Sequence, residues 1–365
     1  MDLSTMEQYW VWLSSVEGIG PRRFYQLLSI YEDARAVWDN VGDGEMRFLG
    51  SAALEKLKRA RSEQYFYALF ARMERLDMRA ITRLSDGYPA RLSAIYDPPP
   101  TLYVLGEGAL DAEHAFAIVG SRRCTRDGQR AAREIAETLA REDVSVVSGM
   151  AYGVDAAAHE GALIGMGQTV AVLGCGADVV YPQENEALYR RILENGGAVV
   201  SEYAPGVAPR PANFPARNRI ISGLSAGVLI VEGAEKSGAM ITVADATDQN
   251  RDVFAVPGSI YSPLSAAPNR LIVEGAIPVL SGWDILEHYR WAARPDANQS
   301  APRSRIVLDP EDDQIVRPLL EQELSFDELA NLVDFPISKL NSHLTMLELR
   351  GIIVKVPGGL YRAYL

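Results

Sequence analysis

The sequence predicts an α/β protein: a doubly wound, mostly parallel sheet, preceded by a helical region and followed by a small helix-and-ribbon domain. Three observations predict it. Short runs rich in Val and Ile recur from about 115 to 290, with helix-like segments between most of them. That alternation builds parallel sheets through right-handed crossovers covering both faces. Before about residue 85 the apolar spacing is helical, and from about 305 three helical segments precede a two-stranded ribbon.

The first region, 1–85, reads as helices over 7–15, 21–31, 34–39 and a long segment, 51–76. In 62–76, Phe66, Leu69, Phe70, Met73 and Leu76 recur at spacings of three and four, one helix face. Gly18-Ile19-Gly20-Pro21 places a tight turn ahead of a helix whose first residue is Pro. Two readings fit this SAM/helix-hairpin-helix-like segment. It is a phosphate-holding hairpin with exposed backbone N–H groups, or a plain turn between helices. Residues 86–114 read as an ordered connector, because Pro98-Pro99-Pro100 sets extended backbone and bars helix.

The Rossmann-like domain follows, with strands expected at 115–119, 144–147, 169–173, 198–200, 227–231, 253–256 and 277–280. Its helices are expected at 127–141, 155–164, 184–195 and 239–249. Residues 291–304 are a linker by composition. In 305–365, Ser325 with Glu328 three residues later is a capping box. Helices at 312–321, 326–332 and 338–350 precede a ribbon of 352–356 and 360–364 turned at Pro357-Gly358-Gly359, which is winged-helix order.

The chain has 365 residues, 36 Lys+Arg and 48 Asp+Glu, a net charge of −12. With 48% hydrophobic and 23% charged residues it is an ordinary globular chain, not a disordered one. The acidity excludes a uniformly basic nucleic-acid coat but leaves room for a local positive patch. Cys124 and Cys175 form no CxxC and fit a reducing compartment. Neither an export signal nor a membrane span is expected, so the expected location is cytoplasmic.

Ligands of an open parallel sheet bind beyond the carboxyl ends of its strands. Those ends carry Gly120-Ser121-Arg122-Arg123, Ser148 to Asp155, Gly174-Cys175-Gly176, Glu232 to Gly238 and Pro257-Gly258-Ser259. Small loops opening onto helix N-termini suit phosphate oxygens. No GxxxxGK[ST], no GxGxxG after the first strand and no GxSxG elbow leading from a strand into a helix occurs, which removes P-loop, dinucleotide and nucleophile-elbow chemistry. Asp155 and His159 lack the further ligands of a metal site, and neither Cys has a base partner, so no metal, cofactor or catalytic residue is assigned.

Charge is concentrated in two places. Between 121 and 133 five arginines stand against Asp127 alone, and 210–219 holds Arg210, Arg217 and Arg219 with no acid. Arg130 and Arg133 read as a solvated helix face. Arg122 and Arg217 to Arg219 read as phosphate contacts. Phe214 among these arginines is either a base-stacking ring or a core side chain.

Several stretches, in order, resemble the DprA/Smf family of bacterial DNA-processing proteins. They include Ala117-Ile118-Val119-Gly120-Ser121-Arg122, Ser148-Gly149-Met150-Ala151 with Gly153-Val154-Asp155, and Phe214-Pro215-Ala216-Arg217-Asn218-Arg219-Ile220-Ile221. Tyr181-Pro182, Glu232, Ser237-Gly238 and Val256-Pro257-Gly258 continue the match. Tyr152 departs from it, standing where the family often has Arg, and so does Pro268, where Gly is common.

The resemblance implies a protein that binds and protects incoming single-stranded DNA, helps load the RecA recombinase during natural transformation, and forms a homodimer. The DNA pocket it implies is Gly120, Ser121, Arg122, Phe214, Pro215, Arg217, Asn218, Ser237 and Gly238. Charge and position add Arg210, Lys236 and Arg251. The alternative is a phosphoribohydrolase-like nucleotide enzyme, but Val256-Pro257-Gly258-Ser259 lacks the PGGxGTxxE stretch such enzymes need. The winged helix, with ten acidic residues against five basic ones in 306–365, is expected to be a poor phosphate partner.

Overall fold

The computed structural model describes residues 4–294, 309–349, 352–356 and 359–363. The chain divides into two compact units, Met1–Arg294 and Pro295–Leu365. Among the described residues no helix is long and apolar enough to cross a membrane.

The first unit begins with helices Thr5–Ser15, Pro21–Tyr31 and Ala34–Asp39, a 3₁₀ turn, and helices Ser51–Ala60 and Glu63–Arg75. Ser4 and Glu7 close a capping box on the first helix. Gly18, at φ +95°, turns the chain, and Pro21 opens the second helix as expected. Trp12, Leu13, Phe24, Leu27, Met46, Leu49 and Leu57 fill the core of this region.

The expected long helix over 51–76 is two helices. Trp12 Nε1 donates to the Ala60 carbonyl at 2.8 Å, and extended Ser62 accepts from Tyr65 N–H at 3.2 Å. A new N-cap therefore starts a second helix within an unbroken apolar pattern.

The large sheet has nine strands: β1 Arg79–Thr82, β2 Thr101–Gly106, β3 Ala115–Val119, β4 Ser145–Ser148, β5 Thr169–Val172, β6 Ala198–Ser201, β7 Gly227–Ile230, β8 Asp252–Ala255 and β9 Ile277–Pro278. Their order is β1-β2-β6-β5-β4-β3-β7-β8-β9. From β6 to β9 all neighbours are parallel, while β1 and β2 add an antiparallel edge.

Neither strand is expected from the sequence, which reads there as the end of the helical region and a connector. Pro98 to Pro100 does set extended backbone, but it leads into a buried strand: Thr101 to Leu105 is covered on both sides, and Tyr103 hydroxyl donates to Val11 carbonyl at 3.2 Å. The helical region and the sheet thus share a core.

Helices Arg126–Arg141, Val154–Ile164 and Gly282–Tyr289 cover one sheet face through Ile135, Leu139, Ala158 and Ile285, packed on Phe116, Val146 and Phe254. Helices Asn213–Gly223, Ala239–Asp248 and Ala266–Val273 cover the other, with Ile220, Ile221, Val243 and Leu271 on Val119, Val147 and Val228. The chain leaves β3 toward β4, β5 and β6, then returns across the sheet to β7 on the other side of β3. This reversal opens a crevice between the loops after β3 and β7, the usual ligand position in such sheets.

The second unit has helices Pro310–Glu321, Phe326–Leu332 and Ile337–Leu349 and a three-stranded sheet of β10 Leu324–Ser325, β11 Ile353–Val356 and β12 Leu360–Ala363, in order β10-β12-β11. The capping box of Ser325 and Glu328 forms as expected. Ile315, Val316, Leu329, Leu340, Leu344 and Ile353 make its core. Residues 295–304 of the expected linker, Arg350, Tyr364, and Pro357 and Gly358 of the expected turn lie outside the described residues.

Candidate functional site

Three loops are stitched together at the crevice. Ser121 N–H donates to Glu232 carbonyl at 2.7 Å, tying the β3 loop to the β7 loop. Val154 N–H donates to Ser121 carbonyl at 3.2 Å, tying in the β4 loop. The close approach needs glycine: a Cβ on Gly153, at φ +78°, would lie 2.3 Å from Ser121 carbonyl.

Glu232 serves this stitching. Its two carboxylate oxygens accept from Thr125 N–H at 2.8 Å and Thr125 hydroxyl at 2.6 Å. Thr125 in turn caps helix Arg126–Arg141 through Gly128 N–H at 3.0 Å.

The crevice is a cleft of about 680 Å³. It brings together Gly120, Ser121 and Arg122 from the β3 loop, Phe214, Pro215, Arg217 and Asn218 from helix Asn213–Gly223, and Ser237 and Gly238 before helix Ala239–Asp248. These are nine of the twelve residues singled out in the sequence. Ser237 hydroxyl is buried and has no hydrogen-bond partner among the described residues.

The four arginines behave differently. Arg122 is exposed, its guanidinium 5.6 Å from the centre of the Phe214 ring, and no carboxylate pairs with it among the described residues. Arg123 beside it is also exposed and lines the cleft.

Arg217, expected as a phosphate contact, is instead 4% exposed at the floor. It donates to Gly149 carbonyl at 2.7 Å, to Val172 carbonyl, and through Nε to Asn218 Oδ1 at 3.2 Å. Burial pushes its pKa down to about 10, with Asp155 opposing that shift. Arg219 is also committed: its guanidinium holds Glu202 at 2.6 Å and Asp97 at 3.1 Å. Both are buried because helix Asn213–Gly223 lies on the sheet.

Three expected site residues do not join the cleft lining. Arg210 pairs with Glu17, which Lys56 also holds at 2.9 Å, and lines a neighbouring recess with Gly18, Ile19 and Gly20. Lys236 is exposed outside the lining. Arg251 precedes β8, at the end of the sheet opposite the strand carboxyl ends, and donates to Arg91 carbonyl at 2.9 Å. Proximity to a glycine-rich loop in sequence does not fix which end of a strand a residue occupies.

Tyr181 was not assigned to the site from the sequence. It lines the cleft, and its ring centre lies 5.3 Å from that of Phe214 at 39°. The usable signal was an aromatic shortly after the glycine-rich β5 loop. Phe214 is half-buried, packed against Gly174 with one face toward the cleft.

Asp155 and His159 lie on helix Val154–Ile164, and both are buried. Burial raises the Asp155 carboxyl, an effect that Arg217 opposes. Thr169 hydroxyl donates to Val146 carbonyl at 2.7 Å, so His159 Nδ1 donates to Thr169 oxygen at 2.7 Å, while Nε2 is unpartnered among the described residues. Burial lowers the His159 pKa from 6.5 to about 3, so the imidazole is neutral in the fold. The unfolded chain takes up this proton below about pH 6.5 and the native state does not, so stability is present above that pH and falls below it. The expected slope is at most about 1.4 kcal/mol per pH unit. Urea unfolding between about pH 7 and pH 5 should show a shallower loss for His159→Gln than for wild type; parallel profiles would assign the acid sensitivity elsewhere.

The comparisons with known proteins agree over most of the chain. The family model for DNA recombination-mediator protein A matches residues 79–290, and that for the DprA winged helix domain matches 299–359. Protein Smf of Escherichia coli is 40% identical over 289 residues, 76% of this chain and 75% of that one. Protein Smf of Synechocystis is 31% identical over 98% of each chain. DNA processing protein DprA of Streptococcus pneumoniae is 45% identical over 57% of this chain and 73% of its own.

Among solved structures, the X-ray structure of DprA from S. pneumoniae superposes with a TM-score of 0.64 at 34% identity, over 79% of this chain and 98% of that one. DNA processing protein A from Helicobacter pylori, described for its single-stranded DNA binding mode, gives 0.54 at 28% identity, over 59% of this chain and 96% of that one.

Proposed function

This chain belongs to the DprA/Smf family, the DNA recombination-mediator protein A family, and from that premise we propose that it binds single-stranded DNA in the switch-point cleft, without covalent chemistry. The observation that carries the reading is the unpaired Arg122 over the half-buried ring of Phe214. A strand offers phosphates to the cation and the loop donors while a base stacks on the ring, the pairing of groups that holds single strands without reading sequence. The single-stranded DNA binding of the H. pylori relative supports it. A duplex keeps its bases stacked inside and cannot use Phe214.

The finer reading is protection of incoming DNA and loading of RecA during natural transformation, by a homodimer. Two clefts on one strand make the second engagement intramolecular and raise affinity for long strands. The decisive experiment is binding of single- and double-stranded DNA across a salt series, with RecA loading measured alongside. Equal affinity for both forms would overturn the assignment of the cleft.

The phosphoribohydrolase-like reading needs a catalytic carboxylate at the strand ends. Glu232 there has both oxygens engaged by Thr125, while Asp155 lines the cleft floor but is buried beside Arg217. Release of free base from a nucleoside monophosphate by the purified protein would restore that alternative.

The winged helix is assigned to protein contacts rather than to DNA. Arg317 pairs with Asp313 at 2.7 Å, and Lys339 and Arg362 pair with Glu311 and Glu323. Cations already neutralised release few counterions from DNA. A chain ending at residue 294 should therefore bind single strands within about twofold of full length; a large loss of affinity would place DNA contacts in the second unit.

A further inference from the structure

Beside the cleft, the loops following β4 and β5 bring two more aromatic rings to the surface. Tyr152 and Tyr181 are each 41% exposed. With Phe214, Arg122 and Pro182 they line a recess of about 30 Å³ that opens beside the cleft. Arg122, Tyr181 and Phe214 line both. Tyr181 and Phe214 are in ring contact, and Tyr152 lines the same recess, so the three rings are grouped outward from Phe214.

The outer edge of that surface is polar. Tyr152 hydroxyl donates to the exposed carboxylate of Glu184. The bond pushes the Tyr152 pKa up to about 12 and lowers that of Glu184, so the pair stays as neutral phenol and anion at neutral pH. It also ties the Tyr152 ring to Glu184. A carboxylate accepts more hydrogen bonds than this one, so Glu184 keeps acceptor capacity facing solvent.

Resting on the reading of the cleft as a single-strand site, we propose that Tyr152 and Tyr181 form a second base-stacking subsite next to Phe214, and that Glu184 at its rim selects a base bearing an exocyclic amino group. The chemistry sorts a nucleotide by its parts. A base has a π-face for the rings. A phosphate is drawn to Arg122 and repelled by Glu184, so the backbone lies on the Arg122 side and the base points outward over the tyrosines. An amino edge, such as N4 of cytosine, donates to the carboxylate; thymine presents an acceptor at the equivalent place and is disfavoured. The site thus takes at least two successive nucleotides, and its second position carries a base preference that stacking alone does not supply.

The test is fluorescence anisotropy of full-length protein with oligo-dC and oligo-dT of equal length at neutral pH. Wild type should prefer dC by about tenfold. Tyr152→Ala and Tyr181→Ala should each weaken both ligands by about tenfold. Tyr152→Phe keeps the ring and should keep affinity for dT while reducing the preference, because Glu184 loses its anchor. Glu184→Gln should reduce the preference, by strengthening dT binding as the carboxylate that disfavours it is removed. All three positions are exposed, and thermal melting should be unchanged in the four variants.

If the tyrosine and glutamate variants match wild type while Phe214→Ala weakens binding, the second subsite is wrong and the cleft stands. If Phe214→Ala and Arg122→Ala also match wild type, the cleft reading itself fails.

Discussion

Arg217→Ala is expected to destabilise the protein by about 3–5 kcal/mol, the largest loss among the charged residues of the site. The side chain is buried, and its guanidinium supplies donors to Gly149 and Val172 carbonyls and to Asn218. Removing it leaves buried acceptors with a lost partner and takes away the positive charge that opposes the burial of Asp155. It also empties the volume of a large side chain beside Gly149, whose missing Cβ makes room for that guanidinium. Each lost buried hydrogen bond costs about 1–3 kcal/mol, and a stranded buried charge costs more. Urea unfolding monitored by circular dichroism measures this directly. A midpoint within error of wild type would show that the Arg217 network contributes nothing to folding, and would return Arg217 to the list of phosphate contacts.

The second large effect is on DNA. Phe214→Ala should weaken single-strand binding by about 1–3 kcal/mol, the cost of one lost base stack. Arg122→Ala should also weaken it, and should lower the slope of log affinity against log salt by about 0.7, the value for one phosphate contact on a single strand. The two substitutions should be less than additive, because the Arg122 guanidinium lies over the ring that Phe214 presents. Melting temperatures should change little for Arg122→Ala, since the side chain is exposed. Wild-type affinity and salt slope in both variants would refute the binding mode.

The contrast between Arg122 and Arg217 sharpens the meaning of the net charge of −12. Of the basic residues concentrated in 121–133 and 210–219, Arg133 pairs with Glu160 at 2.6 Å, Arg130 with Asp127 at 3.4 Å, Arg210 with Glu17 and Arg219 with Glu202. The exposed cations that line the cleft are Arg122 and Arg123. The positive surface open to a ligand is narrower than the arginine count implies, and it sits where the aromatic rings are.

Most of the sheet was legible in the sequence, because strands buried on both faces read as short Val/Ile runs. Strands β1 and β2 were not: Arg79-Ala80-Ile81-Thr82 is short, and Thr101 to Gly106 follows a proline run that masks a strand buried between β1 and β6, with Leu102 and Val104 in the sheet core and Tyr103 against Val11. The break at Ser62 was invisible because helical apolar spacing continues on both sides of it, although Ala53, Leu57 and Ala60 pack into the helical core while Leu69 and Met73 pack with Ala80, Tyr103 and Val199.

The sequence alone determined where the glycine-rich loops gather. They follow parallel strands, and chain order with crossover handedness puts them at one edge. Tertiary structure alone decided what each charged residue there does. Arg122 and Arg217 are the same residue type in equally suggestive contexts, yet one meets solvent and an aromatic face, while the other meets Gly149 and Val172 carbonyls, 68 and 45 residues away in sequence. Desolvation separates them. The cost of removing a cation from water depends on every group packed around it, and those groups are brought together only by the fold.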